Sequence, residues 1–406
     1  MTMIKVIHTA DWHIGQYFFG YDRKEEHIYF FDWLKKVIKE HQVDVLLVAG
    51  DVFDSPNPSA ESQKIYYRFL REVTSENPNL QIVIIAGNHD SAGRLEAPNP
   101  LLEEMKVYIR GMVRKNEEGI IDSQQLFVPL SKNGEIKAWC IAVPYLRQGD
   151  YPNAESYAKG VSLLYNKLHV ELQQIKEKDL PVFVMGHLQA TGSEVSENDR
   201  SERTMIGGLE CISPEIFDKK DIVYTALGHL HKPQRVSKRE NIRYAGSPLP
   251  MSFAEKNYKQ GVNLIKVENN QLQSIERLDF EPLANLISLP KRPKPLTEVL
   301  EEIKSLPDGK VTKKSPYLEL NILLTEPEPS MRNQIEEALQ NKAIRLATAI
   351  PFKIKSERES KVVTYEELKT INPLEMAEDI FTSRYGGKMP EKIKSLLQIV
   401  IHEINL

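Results

Sequence analysis

The stretch "VDVLLVAGDVFD", residues 43–54, sets the reading of the fold. From Val43 to Ala49 every residue but Asp44 is apolar, which suits a strand covered on both faces rather than one with a wet side. The run stops at a glycine and a carboxylate comes next, Gly50-Asp51. A buried strand ending on a turn-forming glycine delivers its next side chain to the sheet edge, where α/β folds collect ligands.

Four other runs behave alike: "IKVIHTA" (4–10), "QIVIIA" (81–86), "LPVFVM" (180–185) and "DIVYTAL" (221–227). Helical patterns lie between them, as in "EEHIYFFDWLKKVIKEHQ" (25–42) and "SAESQKIYYRFLREVTSE" (59–76). Strand and helix in alternation predict an α/β layered fold with a largely parallel core. After residue 280 the text changes. "LISLPKRPKPLTE" (286–298) is proline-rich and basic and reads as a connector. Beyond it come helices near 296–305 and 329–341 and strands at 317–324 and near 343–355, a small α+β module. In the tail, Ile393, Leu396, Leu397, Val400, Ile401 and Ile404 share one helical face. The domains expected are 1–280, 281–360 and 361–406.

Bulk properties exclude some classes. Apolar residues make up 41% of the 406, and no stretch reaches the ~18 apolar residues of a membrane span. Two cysteines, Cys140 and Cys211, make no disulfide framework, and no signal peptide opens the chain, so a reduced cytoplasm is expected. The net charge of −4 falls wholly within residues 1–280. A nucleic-acid binder usually carries a basic excess, so bound cations or a partner would have to supply the positive field.

The residues just past each strand carry the chemistry. Asp11-Trp12-His13 stands after the first, Gly50-Asp51-Val52-Phe53-Asp54 after the second and Gly87-Asn88-His89-Asp90 after the third. Gly186-His187 ends the fourth, and Gly228-His229-Leu230-His231 the fifth. Gathered at one edge, Asp11, His13, Asp51, Asn88, His187, His229 and His231 are too many donors for one ion of four to six sites. They suit two ions about 3.5–4 Å apart bridged by a carboxylate. Imidazole, carboxylate and amide oxygen without thiolate point to manganese, iron or zinc. Asp54 is placed to orient a ligand histidine. Taken singly, a strand-end histidine is more often a packed residue and an aspartate a helix cap; five loops in agreement outweigh those readings. His8 reads as core, and His27, His41, His169 and His402 as surface or helix-face positions. Tyr17, Phe18, Arg23 and Arg94 adjoin the ligand loops within reach of a substrate, although packing or surface roles fit them better.

In this order, D-x-H, G-D-x-x-D, G-N-H-D, G-H and G-H-x-H resemble the signature of the calcineurin-like metallophosphoesterases. "HTADWHIGQ", "GDVFDSPNPS", "GNHDSAGRLE", "ALGHLHKPQ" and "YAGSPLPMSF" narrow the likeness to the bacterial SbcD-type nuclease family. The resemblance implies a four-layer α/β/β/α sandwich with a capping domain and C-terminal helices. It implies that Asp11, His13 and His231 hold one metal and Asn88, His187 and His229 the other, with Asp51 bridging. His89 would assist the leaving group. Asp54 is the second catalytic candidate that the resemblance implies; archaeal and eukaryotic relatives carry histidine there, and the bacterial branch often aspartate. Further implications are two divalent ions, most often Mn2+, a DNA substrate, an SbcC-like SMC-type ATPase partner, and a homodimer within a heterotetramer. A phosphomonoesterase or cyclic-nucleotide phosphodiesterase would use the same centre but has no need of the module after 296. A non-catalytic scaffold would have lost ligands, and all seven are here.

Overall fold

The computed structural model describes residues 3–177, 179–194, 211–326, 328–353 and 389–404, with Leu374, Ala377, Glu378 and Phe381 besides. Two compact units result, residues 1–352 and 353–406. In the first, two six-stranded sheets form the centre. One is built on β1 (Ile4–Thr9), β2 (Val45–Ala49), β3 (Gln81–Ile85) and β4 (Val107–Arg110), all parallel. The other contains β5 (Phe127–Lys132), β6 (Glu135–Ala142), β7 (Val182–His187), β8 (Ile222–Gly228), β9 (Gln234–Arg235) and β10 (Ile242–Tyr244). Within it β6, β7, β8 and β10 run parallel. An antiparallel hairpin, β11 (Gly261–Glu268) and β12 (Gln271–Asp279), closes the first sheet beside β1.

Period-two side chains explain why the runs are apolar throughout. On β2, Val45, Leu47 and Ala49 point to the second sheet and pack with Ala142, Phe183, Met185 and Ala226. Leu46 and Val48 point the other way, onto α1 (Lys24–His41) and α2 (Ala60–Glu76), against Phe30, Leu34, Tyr66 and Phe69. The second sheet is covered likewise by α3 (Tyr157–Ile175) through Val161, Leu164, Leu168 and Leu172. The layering is therefore α/β/β/α. The five strands of the largely parallel core are shared between two sheets, three in one and two in the other, as the four-layer sandwich requires.

The connector expected at 286–298 is itself structured. Leu286–Pro295 is strand β13, the edge of a three-stranded sheet with β14 (Tyr317–Leu324) and β15 (Arg345–Lys353). An edge strand tolerates prolines because one side of it makes no ladder bonds. The pairing with β14 also breaks register between Leu289 and Lys294, which takes up Pro290 and Pro293. Helices α4 (Leu296–Lys304) and α5 (Met331–Leu339) cover this sheet around Val299, Ile303, Leu320 and Ile335. The small module thus has its own core. It also meets the large domain, where Tyr317 shares a cluster with Phe18, Phe253 and Ala284.

In the second unit, α6 (Glu391–Ile404) is the helix expected of the tail, with Ile393 and Leu396 exposed. The stretch 382–388 and the side chains of Val400, Ile401, His402 and Ile404 lie outside the described residues. No helix among those described is long and apolar enough to cross a membrane.

Candidate metal centre

The carboxyl ends of β1, β2 and β3 from one sheet meet those of β7 and β8 from the other. Backbone bonds run the first two loops side by side: Asp11 N donates to Gly50 O and His13 N to Asp51 O, each at 3.0 Å. Four residues there have positive φ without being glycine: Asp11 (53°), His13 (46°), Asp51 (48°) and His229 (97°). Such backbone costs about 1–3 kcal/mol per residue and clusters at functional sites, where the surroundings impose it. Gly87 shows how tight the turns are, since a Cβ on it would lie 2.1 Å from Asp51 Oδ1.

The seven expected donors all converge. His13 Nε2 and His231 Nε2 face each other at 3.2 Å. His187 Nε2 lies 2.9 Å from Asn88 Oδ1, and His229 Nδ1 3.1 Å from the same oxygen. Asp51 stands between the groups, its Oδ2 3.3 Å from His187 Nε2 and 3.7 Å from His13 Nε2. Asp51 Oδ1 accepts from His89 N, and Asp11 Oδ1 from His229 N. Asp11, His13, Asp51, His187 and His231 are buried; Asn88, His89 and His229 are half-buried and form the opening to solvent.

The distant bonds of the imidazoles decide what their near nitrogens can do. His187 Nδ1–H donates to the Ala49 carbonyl at 2.9 Å, and His231 Nδ1–H to Glu255 Oε1 at 3.0 Å. Each Nε2 is thereby turned toward the centre, where it can offer its lone pair to a cation once any proton on it has left. Asp11 Oδ2 and Asp51 Oδ2 are buried and accept no hydrogen bond from the described residues. Two such carboxylate oxygens in a buried centre repel one another unless something positive sits between them.

The charge states of these side chains agree. Burial pushes the Asp11 carboxyl up to about 6. Burial would lower His187, but the adjoining Asp51 charge outweighs it and raises the imidazole to about 10. Burial would raise Asp51, and the charge of His187 instead carries it below the usual carboxylate range. Burial would also lower His13, which Asp54 and Asp51 raise in spite of it. Protons and divalent ions would thus compete for the centre, and binding such ions would release protons. The donor set fits divalent metals.

Residues 4–233 match the calcineurin-like phosphoesterase family, and residues 282–385 a family described as the type 5 capsule protein repressor C-terminal domain. The D subunit of the nuclease SbcCD from Rhodobacter capsulatus is 35% identical over 356 residues, covering 85% of this chain and 86% of that protein. The protein of the same name from Escherichia coli is 27% identical over 422 residues, covering 99% of this chain and 98% of the other. That from Bacillus subtilis is 30% identical over 270 residues, or 64% and 66% of the two chains. The chain belongs to this family of nuclease subunits. It is a hydrolytic nuclease of the metallophosphoesterase fold, with a divalent-metal centre.

Family membership leaves the surrounding residues to be read from the structure. His89 donates Nδ1–H to the Asp54 carbonyl at 2.9 Å and packs edge-on against His13, so its Nε2 is turned away from the backbone. The Asp54 carboxylate lies 3.4 Å from His13 Nδ1, a place from which it orients that ring. Arg23 is a packing residue, fully buried, with bonds to Gln16, Pro250 O and Glu26. Phe18 is likewise buried, whereas Tyr17 is exposed and Arg94 reaches the Asn57 side chain at the surface. His8 is core as expected. His41 is half-buried, and His169 bonds Asp221 at 2.8 Å on the helix surface.

One expectation fails: His27 is no surface residue. It is buried, with Nδ1 at 3.1 Å from Arg23 O and Nε2 at 2.9 Å from Trp12 O, and so it ties α1 to the first ligand loop. Two further residues escape a reading of the sequence. Asp90 accepts from Gly87 N, Val52 N and Phe53 N, which knits the second loop to the third. Its place in Gly-Asn-His-Asp is the available signal. Glu255, the partner of His231, lies 24 residues further along the chain and has none.

Proposed function

We propose that the chain hydrolyses DNA phosphodiesters, as a 3′–5′ exonuclease on double-stranded ends and an endonuclease on single strands and hairpins. Asp11, His13 and His231 would hold one ion and Asn88, His187 and His229 the other, with Asp51 between them and Mn2+ as the ion in use. The observation that carries this is the pair of bare carboxylate oxygens, Asp11 Oδ2 and Asp51 Oδ2, ringed by imidazoles. The ions would neutralise phosphate oxygens and make water acidic enough to supply hydroxide. His89, held at Nδ1 by the Asp54 carbonyl, presents Nε2 at the open side, where it can give a proton to the departing oxygen. Asp54 keeps His13 and His89 in place rather than exchanging protons itself.

The decisive experiment is His89→Ala, assayed on a labelled hairpin with Mn2+ beside a phosphomonoester control. Cleavage should be abolished while both metals still bind; loss of bound metal would show His89 to be a ligand. Hydrolysis of the monoester in preference to the hairpin would favour the phosphatase reading.

The remaining parts fit a larger assembly in the cytoplasm. Residues 1–280 serve as the nuclease domain, 281–360 as a cap and 361–406 as the segment that docks on an SbcC-like SMC-type ATPase, in a heterotetramer built on a nuclease homodimer. The exposed Ile393 and Leu396 on α6 support the docking role. Deleting residues 371–406 should spare cleavage of short substrates and prevent co-purification with the ATPase, and unchanged co-purification would refute the assignment.

A further inference from the structure

We infer that Glu255 is a positioning residue of the metal centre, and that the capping module holds it in place. The inference rests on the divalent-metal reading of the site. Glu255 is fully buried in the turn Phe253–Glu255. Its Oε1 accepts from His231 Nδ1 at 3.0 Å and its Oε2 from Met251 N at 2.8 Å. A carboxylate on the far nitrogen of a ligand imidazole fixes the tautomer, the ring plane and the basicity of the near nitrogen. Here the near nitrogen is the Nε2 that faces His13.

The segment carrying Glu255 is gripped from outside the nuclease sheets. Pro250 O accepts from Arg23 Nη1 at 2.6 Å, and Arg23 Nη2 donates to Glu26 at 2.8 Å. Glu26 in turn accepts from the Tyr317 hydroxyl at 2.6 Å, and that hydroxyl accepts from Arg345 Nη1 at 2.7 Å. Phe253 packs on Phe18 in the cluster that Tyr317 completes. Tyr317 and Arg345 belong to the strands of the capping module. A buried polar chain thus runs from that module to the turn whose carboxylate orients His231. Desolvating so many charged groups is costly unless each is paired, so the chain tolerates one arrangement far better than any other.

The test uses the full-length protein with selectively ¹⁵N-labelled histidine. In the metal-free wild type, His231 should be the Nδ1–H tautomer; an Nε2–H signature would overturn the inference without any variant. Glu255→Ala should bind Mn2+ about 10–100-fold more weakly at one of two sites, by calorimetric titration without DNA. Loss of the Nδ1–H preference at His231 should accompany it. A folded Glu255→Ala protein that binds both ions as tightly as wild type would refute the role. Failure of the wild type to bind Mn2+ at all would instead sink the metal reading and leave the tautomer result standing.

Discussion

Replacing Gly228 by alanine tests how closely the two sheets must meet to build the centre. A Cβ at this position would lie 1.9 Å from the Ala49 carbonyl oxygen and 2.9 Å from His187 Nδ1. These two atoms are the acceptor and donor of the bond that orients His187. Comfortable non-bonded contacts begin near ~3.5 Å, so β8 and β2 would have to part by well over an ångström. A 2.9 Å hydrogen bond does not survive a shift of that size. Losing it costs about 1 kcal/mol. Overpacking a fitted interior adds about 1–3 kcal/mol. Backbone strain adds nothing, because Gly228 is not in the left-handed region. The sum is about 2–4 kcal/mol, which lowers the melting temperature of a domain this size by roughly 3–7 °C. Calorimetric melting of metal-free protein measures it, and Mn2+ titration should show a loss of about 10–100-fold from the released imidazole. A variant within about 0.5 kcal/mol of wild type, with unchanged Mn2+ affinity, would refute the claim that Ala49 and His187 are locked together here.

Two other expectations are simpler. Tyr317→Phe removes the hydroxyl between Arg345 and Glu26 and should cost about 1.5–3 kcal/mol in urea denaturation, as for bonds to charged groups. Tyr21→Phe, whose hydroxyl among the described residues donates to the Leu346 carbonyl alone, at 3.2 Å, should cost less, and equal losses would count against the buried chain. Burial, helped by Arg277, lowers His8 from the usual 6.5 to about 3. Between those values the unfolded chain binds a proton that folded His8 refuses, so stability is full above pH 6.5 and falls as pH drops toward 3. From about pH 6.5 to about pH 5 the loss from this group is about 2 kcal/mol. His8→Asn should remove that part of the acid sensitivity in urea titrations at both pH values, and an unchanged slope would contradict it.

The elements are legible because their signals are local. An unbroken run such as "VLLVA" suits a strand with both faces covered, and the sandwich supplies a sheet to one face and helices to the other. Which sheet a strand joins is not a local property. β2 and β7 are both buried along their whole length, and their side chains alone do not say which strand lies beside each. The proline-rich 286–295 misleads for a related reason. Proline forbids a ladder bond on one side only, and whether a strand has a neighbour on that side is decided by the topology of the module. His27 is misplaced because "KEEHIY" reads as the outer face of a helix. The ring turns inward to reach the Trp12 and Arg23 carbonyls, partners without any side-chain pattern.

That contrast extends to the centre itself. The candidate donors stand just past the ends of strands, so each announces itself as a carboxylate, amide or imidazole within a few residues of an apolar run. The groups that aim those donors obey no such rule, since any acceptor that folding brings within about 3 Å will serve. His187 is aimed by a backbone carbonyl, which every residue possesses, and His231 by a carboxylate from a turn 24 residues away. Both imidazoles end as Nδ1–H donors with Nε2 turned inward, yet only the ligands themselves are written in the spacing. The tautomers, and with them the direction of the lone pairs, are products of the assembled fold. Changing Glu255 or Gly228 therefore disturbs the same property as changing a ligand, Glu255 from a turn that no strand-end motif contains and Gly228 through the contact its missing side chain permits.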